Sequence, residues 1–234
     1  MRFLTIRRAI NKFIRTRPLL FKLVMSRREK FKDIVVSNNT EIIIEGYPRS
    51  ANTFAVAAFL YAQKKPIKVA RHTHAPAQIM LGVDNNIPTI LLIRKPVDAV
   101  TSLVIRDCTI PLDKALKMYI WYHKSVINIK NKCIVADFFD VTENFSNIID
   151  MVNSKYNSNF LNFTHDKFSE ENIFKLVEEM ERMDSGGELR ESHVARPSDS
   201  RENTKKKVII QLELPENNKL LSECNSLYEQ MIAK

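Results

Sequence analysis

The stretch that decides the fold is GYPRSANTF, residues 46–54. It follows an apolar run at residues 42–44 and precedes an apolar helical pattern that extends to Leu60. This order predicts a buried strand, a tight loop and then a helix. A loop in that position lies beside the free N–H groups of a helix N-terminus, where an anion is stabilised.

The side chains of this loop suit an oxyanion. Arg49 contributes a fixed positive charge and a planar set of donors that matches phosphate or sulfate. Ser50, Asn52 and Thr53 add short polar donors. The nucleotide P-loop motif G-x-x-x-x-G-K-[ST] is absent, since the chain contains no Gly-Lys-Ser/Thr segment. The sequence therefore predicts an oxyanion site of another kind, and the alternative is a structural turn with a solvated arginine.

The loop resembles the 5′-phosphosulfate-binding loop of sulfotransferases that use 3′-phosphoadenosine 5′-phosphosulfate (PAPS), where Pro-Lys/Arg-Ser-Gly-Thr-Thr is usual. Arg49, Ser50 and Thr53 match that pattern. Ala51 replaces the glycine and Asn52 replaces a threonine, and an alanine is strained wherever a positive φ is needed. The resemblance implies that the donor is bound by Arg49, Ser50, Ala51, Asn52, Thr53 and Phe54. It also implies that Arg49 is catalytic, because it would neutralise the migrating sulfonate and the leaving phosphate.

A second predicted strand, residues 89–93, ends at Arg94. Pro96 then suits the first turn of a helix, because its missing N–H would have no partner there. The segment resembles the family's 3′-phosphate-binding segment, an arginine at a strand end and a serine two helical turns later. The resemblance implies that Arg94 and Ser102 hold the 3′-phosphate, and the alternative is an ordinary strand–helix corner.

A third predicted strand, residues 67–70, is followed by RHTHAP at residues 71–76. The family carries Lys-Thr-His-x-Pro in this interval, with the histidine as general base. The resemblance implies that His74 is the catalytic base. His72 stands in place of the lysine, and three roles stay open for it: a share in the proton transfer, binding of the transferred group, or none.

The family closes its site with a late Arg-Lys-Gly-x-x-Gly segment, which this chain lacks. A basic, serine-rich stretch over residues 196–207 lies in a comparable place and is predicted to be a loop. Arg196 and Arg201 are the expected donor-binding residues of this stretch. The alternative is a solvated charged loop.

The predicted fold is α/β, a single-domain P-loop-like parallel sheet flanked by helices on both faces. Predicted strands near 41–45, 67–70, 89–93 and 132–136 alternate with helices near 53–64, 96–106, 112–130 and 143–157, and helices near 169–183 and 216–233 follow. Ligands bind at the carboxyl ends of the strands in such sheets. All three motifs follow a predicted strand, so we expect one site at this edge.

The N-terminal arm, residues 1–36, differs in composition from the predicted domain, residues 37–234. Residues 1–32 contain 11 Lys or Arg and one acid, a charge of +10, whereas the whole chain carries +9. The arm is also apolar, but Lys22 interrupts its longest apolar stretch, so we do not expect a membrane-spanning helix. The arm predicts a basic amphipathic segment on an anionic membrane surface or, equally, a helix packed on the domain.

Together these features predict a cytoplasmic, membrane-peripheral enzyme that moves a sulfonate from PAPS to a hydroxyl or amine of a small-molecule, lipid or carbohydrate acceptor. We expect no nucleic-acid partner. We also expect no metal, since the three cysteines are widely spaced. One alternative is a kinase with a degenerate P-loop. The other is a non-catalytic, membrane-peripheral protein that keeps an anion or nucleotide pocket.

Overall fold

A parallel sheet forms the centre of the molecule in a computed structural model that describes residues 9–164, 167–185 and 202–233. Its strands are β1 (Ile42–Gly46), β2 (Val69–Arg71), β3 (Thr89–Ile93) and β4 (Ile134–Asp137). They lie in the order β2–β1–β3–β4, and every neighbouring pair is parallel. The carboxyl ends of all four strands therefore meet at one edge of the sheet.

Helices connect and cover the strands. They are α1 (Pro18–Met25), α2 (Asn52–Ala62), α3 (Pro76–Asp84), α4 (Pro96–Arg106), α5 (Leu112–Val126), α6 (Phe138–Glu143), α7 (Phe145–Tyr156), α8 (Lys167–Ser185), α9 (Glu202–Leu212) and α10 (Pro215–Ile232). Residues 9–14 form a further short helical segment before α1. Short 3-10 helices span Glu29–Phe31 and Ile127–Lys132.

The strands are apolar on both faces, and each face has its own hydrophobic core. Successive side chains of a strand point to opposite faces, so Ile43 and Leu91 join one core whereas Ile42 and Ile90 join the other. Helices α1, α3, α4, α5 and α10 cover the first face, and α2, α7 and α8 cover the second. This arrangement confirms the predicted α/β fold with helices on both faces of a parallel sheet.

Most predicted elements form close to their predicted bounds, and β3 and α4 form at those bounds. The stretch near Lys205 was expected to be a loop, and this expectation is wrong. It is helical, because α9 buries Val208 and Leu212 in the protein interior. Helix α3 was not predicted; it begins at Pro76, the last residue of the histidine motif.

The described part of the N-terminal arm lies on the domain. Phe21 and Met25 of α1 are buried in the core that also contains α3. The Arg15 carbonyl accepts a hydrogen bond from the N–H of Ala77, 2.9 Å away, at the start of α3. Within residues 9–164, 167–185 and 202–233, none of the helices combines the length and the apolar character needed to cross a bilayer.

Candidate functional site

The GYPRSANTF loop begins where β1 approaches β3 closely. A Cβ atom on Gly46 would lie 2.4 Å from the carbonyl oxygen of Leu92, so only glycine fits at this point. The next side chain, Tyr47, is buried, and its hydroxyl donates to the carbonyl of Ala115 at 3.0 Å. The side chain of Asn52 donates back to the Tyr47 carbonyl at 2.9 Å, so this predicted donor-binding residue also braces the loop.

The loop carries two non-glycine residues with positive φ. The φ angles are 70° at Arg49 and 65° at Ala51, and the left-handed region costs an L-residue about 1–2 kcal/mol. Ala51 thus has the positive φ at which an alanine is expected to be strained. Ala51 also precedes α2 without giving it a side-chain cap, so the first N–H groups of α2 keep their capacity for a ligand.

Ser50 lies beside this open helix terminus. Its side chain is fully buried, and its hydroxyl has no hydrogen-bond partner among the described residues. A buried hydroxyl left unpaired costs about 1–3 kcal/mol of stability, so we expect a bound ligand to accept or donate a hydrogen bond at Ser50. Thr53 is half-buried, whereas the Phe54 side chain packs in the core, 6.3 Å from the ring centre of Phe174. Phe54 can therefore contribute its N–H to a ligand but not its ring.

The structure brings Arg49, Arg94 and Ser102 together. The Nε atom of Arg49 donates to the Ser102 hydroxyl at 2.9 Å. Arg94 Nη1 donates to the carbonyl of Arg49 at 3.0 Å, and the Arg94 guanidinium lies 3.9 Å from the centre of the Phe138 ring. The two anion sites implied by the resemblance are thus contiguous in the folded chain.

Arg94 is held in a partly buried position among carboxylates. Burial lowers its pKa, and the negative charges of Asp98 and Asp137 act in the opposite direction. Asp98 is paired with Lys205 at 3.2 Å, and Asp137 accepts a hydrogen bond from Tyr228 at 2.8 Å. Because both carboxylates have other partners, the arginine keeps the capacity to bind an added anion.

His74 follows β2 at the same edge of the sheet. Its Nδ1 atom lies 2.9 Å from the carbonyl oxygen of Gly46 and 3.4 Å from Oε1 of Glu45. The Gly46 carbonyl can accept a hydrogen bond but cannot donate one, and the same is true of ionised Glu45. Nδ1 therefore carries the ring proton. Nε2 is then left with the lone pair, which is the tautomer that a general base requires.

Glu45 is the buried partner of this histidine. Its Oε2 atom accepts hydrogen bonds from the N–H and the hydroxyl of Thr73, at 2.7 and 2.8 Å. Burial by itself would raise the pKa of Glu45, but the hydrogen bond and charge of His74 and the hydrogen bond of Thr73 outweigh it. The pKa of Glu45 therefore lies below its ordinary value. Sequence reasoning missed this residue, although an acid inside an apolar strand is a signal, since buried charges need partners.

Arg15 of the N-terminal arm holds the histidine loop from outside. Its Nη2 atom donates to the carbonyls of Thr73 and His74, at 2.6 and 2.5 Å. Burial lowers the pKa of Arg15, and the charge of Glu45 opposes that effect. His72 and His74 have positive φ angles, 54° and 49°, so this loop is strained and needs such support. No sequence pattern connects Arg15 with a loop almost sixty residues later.

His72 differs from His74 in its surroundings. Burial is the main cause that lowers the pKa of His72 to about 3, and the positive charges of a protonated His74 and of Arg71 add to it. Its Nδ1 atom lies 2.9 Å from Nη1 of Arg71, a group that can only donate. His72 is therefore neutral near pH 7 and a poor proton acceptor, which leaves His74 as the candidate base.

Arg196 and Arg201 lie outside the described residues, so their expected contact with the donor stays a prediction. In the part of the chain that the structure describes, His, Cys, Asp and Glu side chains form no cluster of three or more that could hold a metal ion.

Comparisons with known proteins show a likeness in structure but none in sequence. No protein-family model matches the chain, and no curated protein matches it in sequence. Among solved structures, the chain is similar to mouse sulfotransferase SULT7A1 complexed with PAP, with 12% sequence identity and a TM-score of 0.48. The match covers 88% of this chain and 91% of that chain. At this identity and TM-score, the likeness leaves the function to be argued from the geometry of the site.

Proposed function

We propose that this protein is a sulfotransferase that moves a sulfonate from PAPS to an acceptor hydroxyl or amine. The observation that carries the proposal is the pairing of Glu45 with His74 directly beside an anion cradle. That cradle consists of the open N-terminus of α2, the unpartnered Ser50 hydroxyl and the cluster of Arg49, Arg94 and Ser102. A proton acceptor next to two adjacent anion sites is the arrangement that transfer from a doubly phosphorylated donor needs.

The residues present fit this donor. The Ser50 hydroxyl and the first N–H groups of α2 would hold the 5′-phosphate, because the hydroxyl is buried without a partner among the described residues and the helix has no side-chain N-cap. Arg94 would hold the 3′-phosphate together with Ser102, because the Nε atom of Arg94 is also buried without a partner among the described residues. Bound PAPS would supply a sulfonate whose bond to the 5′-phosphate breaks as the acceptor oxygen or nitrogen bonds to sulfur.

Each residue of the site then has a defined task. His74 Nε2 takes the proton of the acceptor hydroxyl, and ionised Glu45 stabilises the imidazolium that results. Arg49 cannot give up a proton near neutral pH, so its contribution is electrostatic stabilisation of the charge on the leaving phosphate. Arg15 keeps the carbonyls of the histidine loop in place. Positioning and charge stabilisation supply most of the catalysis in this scheme, as they do in phosphoryl transfer.

The donor selectivity of Arg94 provides the test. In calorimetric titrations we expect adenosine 3′,5′-bisphosphate to bind more tightly than adenosine 5′-phosphate or ATP with Mg²⁺. Arg94→Ala should weaken only the bisphosphate, because it alone carries the 3′-phosphate. Loss of one charge-assisted hydrogen bond is worth roughly 1.5–3 kcal/mol, about 10- to 150-fold in Kd.

Lys95→Ala is the matched control, since it removes an exposed positive charge next to Arg94. We expect it to leave all three affinities within about twofold, because an exposed charge is screened by solvent. If Arg94→Ala weakens the binding of the bisphosphate and the monophosphate equally, Arg94 does not bind the 3′-phosphate. Preference for ATP with Mg²⁺ would instead support a kinase.

A further inference from the structure

The N-terminal arm exposes large apolar side chains to solvent. Leu19 and Leu23 of α1 are 82% and 49% exposed, and Ile10 and Phe13 of the preceding helical segment are 54% and 55% exposed. We call these four residues the arm surface. An isolated exposed leucine is ordinary, but four large exposed apolar side chains within fourteen residues are a concentration of apolar surface that calls for a partner.

The arm surface is distinct from the side of the arm that packs on the domain. In α1, Phe21 and Met25 are buried and lie four residues apart, so they share one face. Leu19 and Leu23 also lie four residues apart, and an offset of two residues places them on roughly the opposite face. The helix is therefore apolar on both sides, and its inner face alone accounts for its packing.

The same segment of the chain carries many exposed positive charges. The exposed basic residues of the described arm are Lys12, Arg17, Arg27, Arg28, Lys30 and Lys32. Glu29 is the one acid in residues 1–32, and it is paired with Lys32. A protein partner with an apolar patch would not need this density of cations, whereas an anionic bilayer attracts them at about 1 kcal/mol each near its surface.

We propose that the arm surface docks on an anionic lipid bilayer, with its apolar side chains in the interface and its cations at the headgroups. The arm stays folded on the domain when it docks, because the face that carries Phe21 and Met25 is not part of the surface. Arg15 lies between Phe13 and Arg17 and contacts the carbonyl of His74. Docking therefore brings the candidate site beside the membrane, and this holds whatever reaction the site performs.

Co-sedimentation of the full chain with lipid vesicles tests the proposal. We expect binding to vesicles that contain phosphatidylserine, weak binding to pure phosphatidylcholine, and partial release at high salt, since salt screens the charges but not apolar burial. The double variant Leu19→Glu/Leu23→Glu should lower the partition coefficient by at least about tenfold. Both side chains are exposed, so its melting temperature should stay near that of the natural chain.

Met151→Glu is the matched control, because Met151 is 51% exposed on α7, which covers the other face of the sheet. It should bind the vesicles as the natural chain does. The proposal is overturned if the natural chain ignores phosphatidylserine vesicles, or if the double variant binds them equally well. It is also overturned if light scattering finds a dimer that the double variant dissociates while neither protein binds vesicles, since the arm surface would then join two copies of the chain.

Discussion

Ala51 shows that a braced loop can hold a residue in a conformation that its side chain disfavours. Its φ of 65° and ψ of 20° belong to the left-handed region, and it stands at the N-cap of α2, where alanine is a poor choice. Glycine, which the resembling family carries at this position, meets both requirements. The loop is nevertheless closed, because Asn52 and the buried ring of Tyr47 fix its two ends.

Replacing Ala51 by glycine should therefore stabilise the protein. We expect Ala51→Gly to raise the free energy of unfolding by about 1 kcal/mol, from relief of the left-handed strain and a better N-cap. Urea unfolding measures this change. Ala58→Gly in the interior of the same helix is the control, and it should lower stability by at least about 0.5 kcal/mol. A loss of stability in Ala51→Gly would show that the loop does not hold the left-handed conformation.

Sequence reasoning at the residue scale found the side chains that follow strands but not those that support them. Arg94 comes directly after an apolar run, Arg49 and His74 follow one within a few residues, and the carboxyl ends of parallel strands converge. Glu45 lies inside such a run, where its charge contradicts the pattern, and Arg15 reaches the site from another segment. Long-range support of this kind leaves no periodic signal in a single sequence.

At the scale of elements, periodicity predicted the strands and most helices because their apolar faces are buried. Helix α4 could be placed from Pro96 to Arg106, since proline marks its first turn and the core side chains recur along one face. Helix α3 was missed because its first residues were interpreted as part of the histidine loop. Helix α9 was missed because lysines dominate its exposed side, and Val208 and Leu212 are its only buried residues among those whose side chains the structure describes.

Helix α5 contributes a histidine that should make the fold sensitive to acid. His123 is fully buried, its Nδ1 atom lies 2.8 Å from the Tyr119 carbonyl, and its Nε2 atom has no partner among the described residues. Burial lowers the pKa of His123 to about 4, against an ordinary value of 6.5. Between these pH values the unfolded chain binds a proton at His123 that the folded chain does not bind. The stability that the fold gains by keeping His123 neutral is therefore complete above about pH 6.5 and is lost as the pH falls toward 4.

We expect the free energy of unfolding to fall between pH 7 and pH 5, with His72 adding to the loss through its own lowered pKa. His123→Phe retains a ring against Tyr119, whose ring centre is 4.0 Å away, and removes the titrating group. Its free energy of unfolding should be less dependent on pH in this range, whatever its value at pH 7. An unchanged pH dependence in urea unfolding would contradict this account of His123.

At the scale of the whole molecule, the parallel sheet gathers residues that are far apart in the chain. The candidate base, its buried carboxylate and the two arginines of the candidate site lie at or just beyond the carboxyl ends of β1, β2 and β3. The N-terminal arm closes this edge through Arg15, so the most basic part of the chain lies beside the site. The charge asymmetry was evident from composition, whereas the contact between the arm and the histidine loop depends on tertiary packing.

The central claim is that His74, held by Glu45, is the base for sulfonate transfer. The most direct measurement is the rate at which labelled sulfonate passes from PAPS to pooled lipid, carbohydrate and small-molecule acceptors, with donor affinity measured on the same samples. We expect His74→Ala to lower the rate by ~10²–10⁴-fold, the usual contribution of a general base, with donor affinity nearly unchanged. Glu45→Gln should lower the rate in the same direction, and His72→Ala should retain transfer. If His74→Ala transfers sulfonate at the natural rate, or if His72→Ala alone is inactive, the account of the site is wrong.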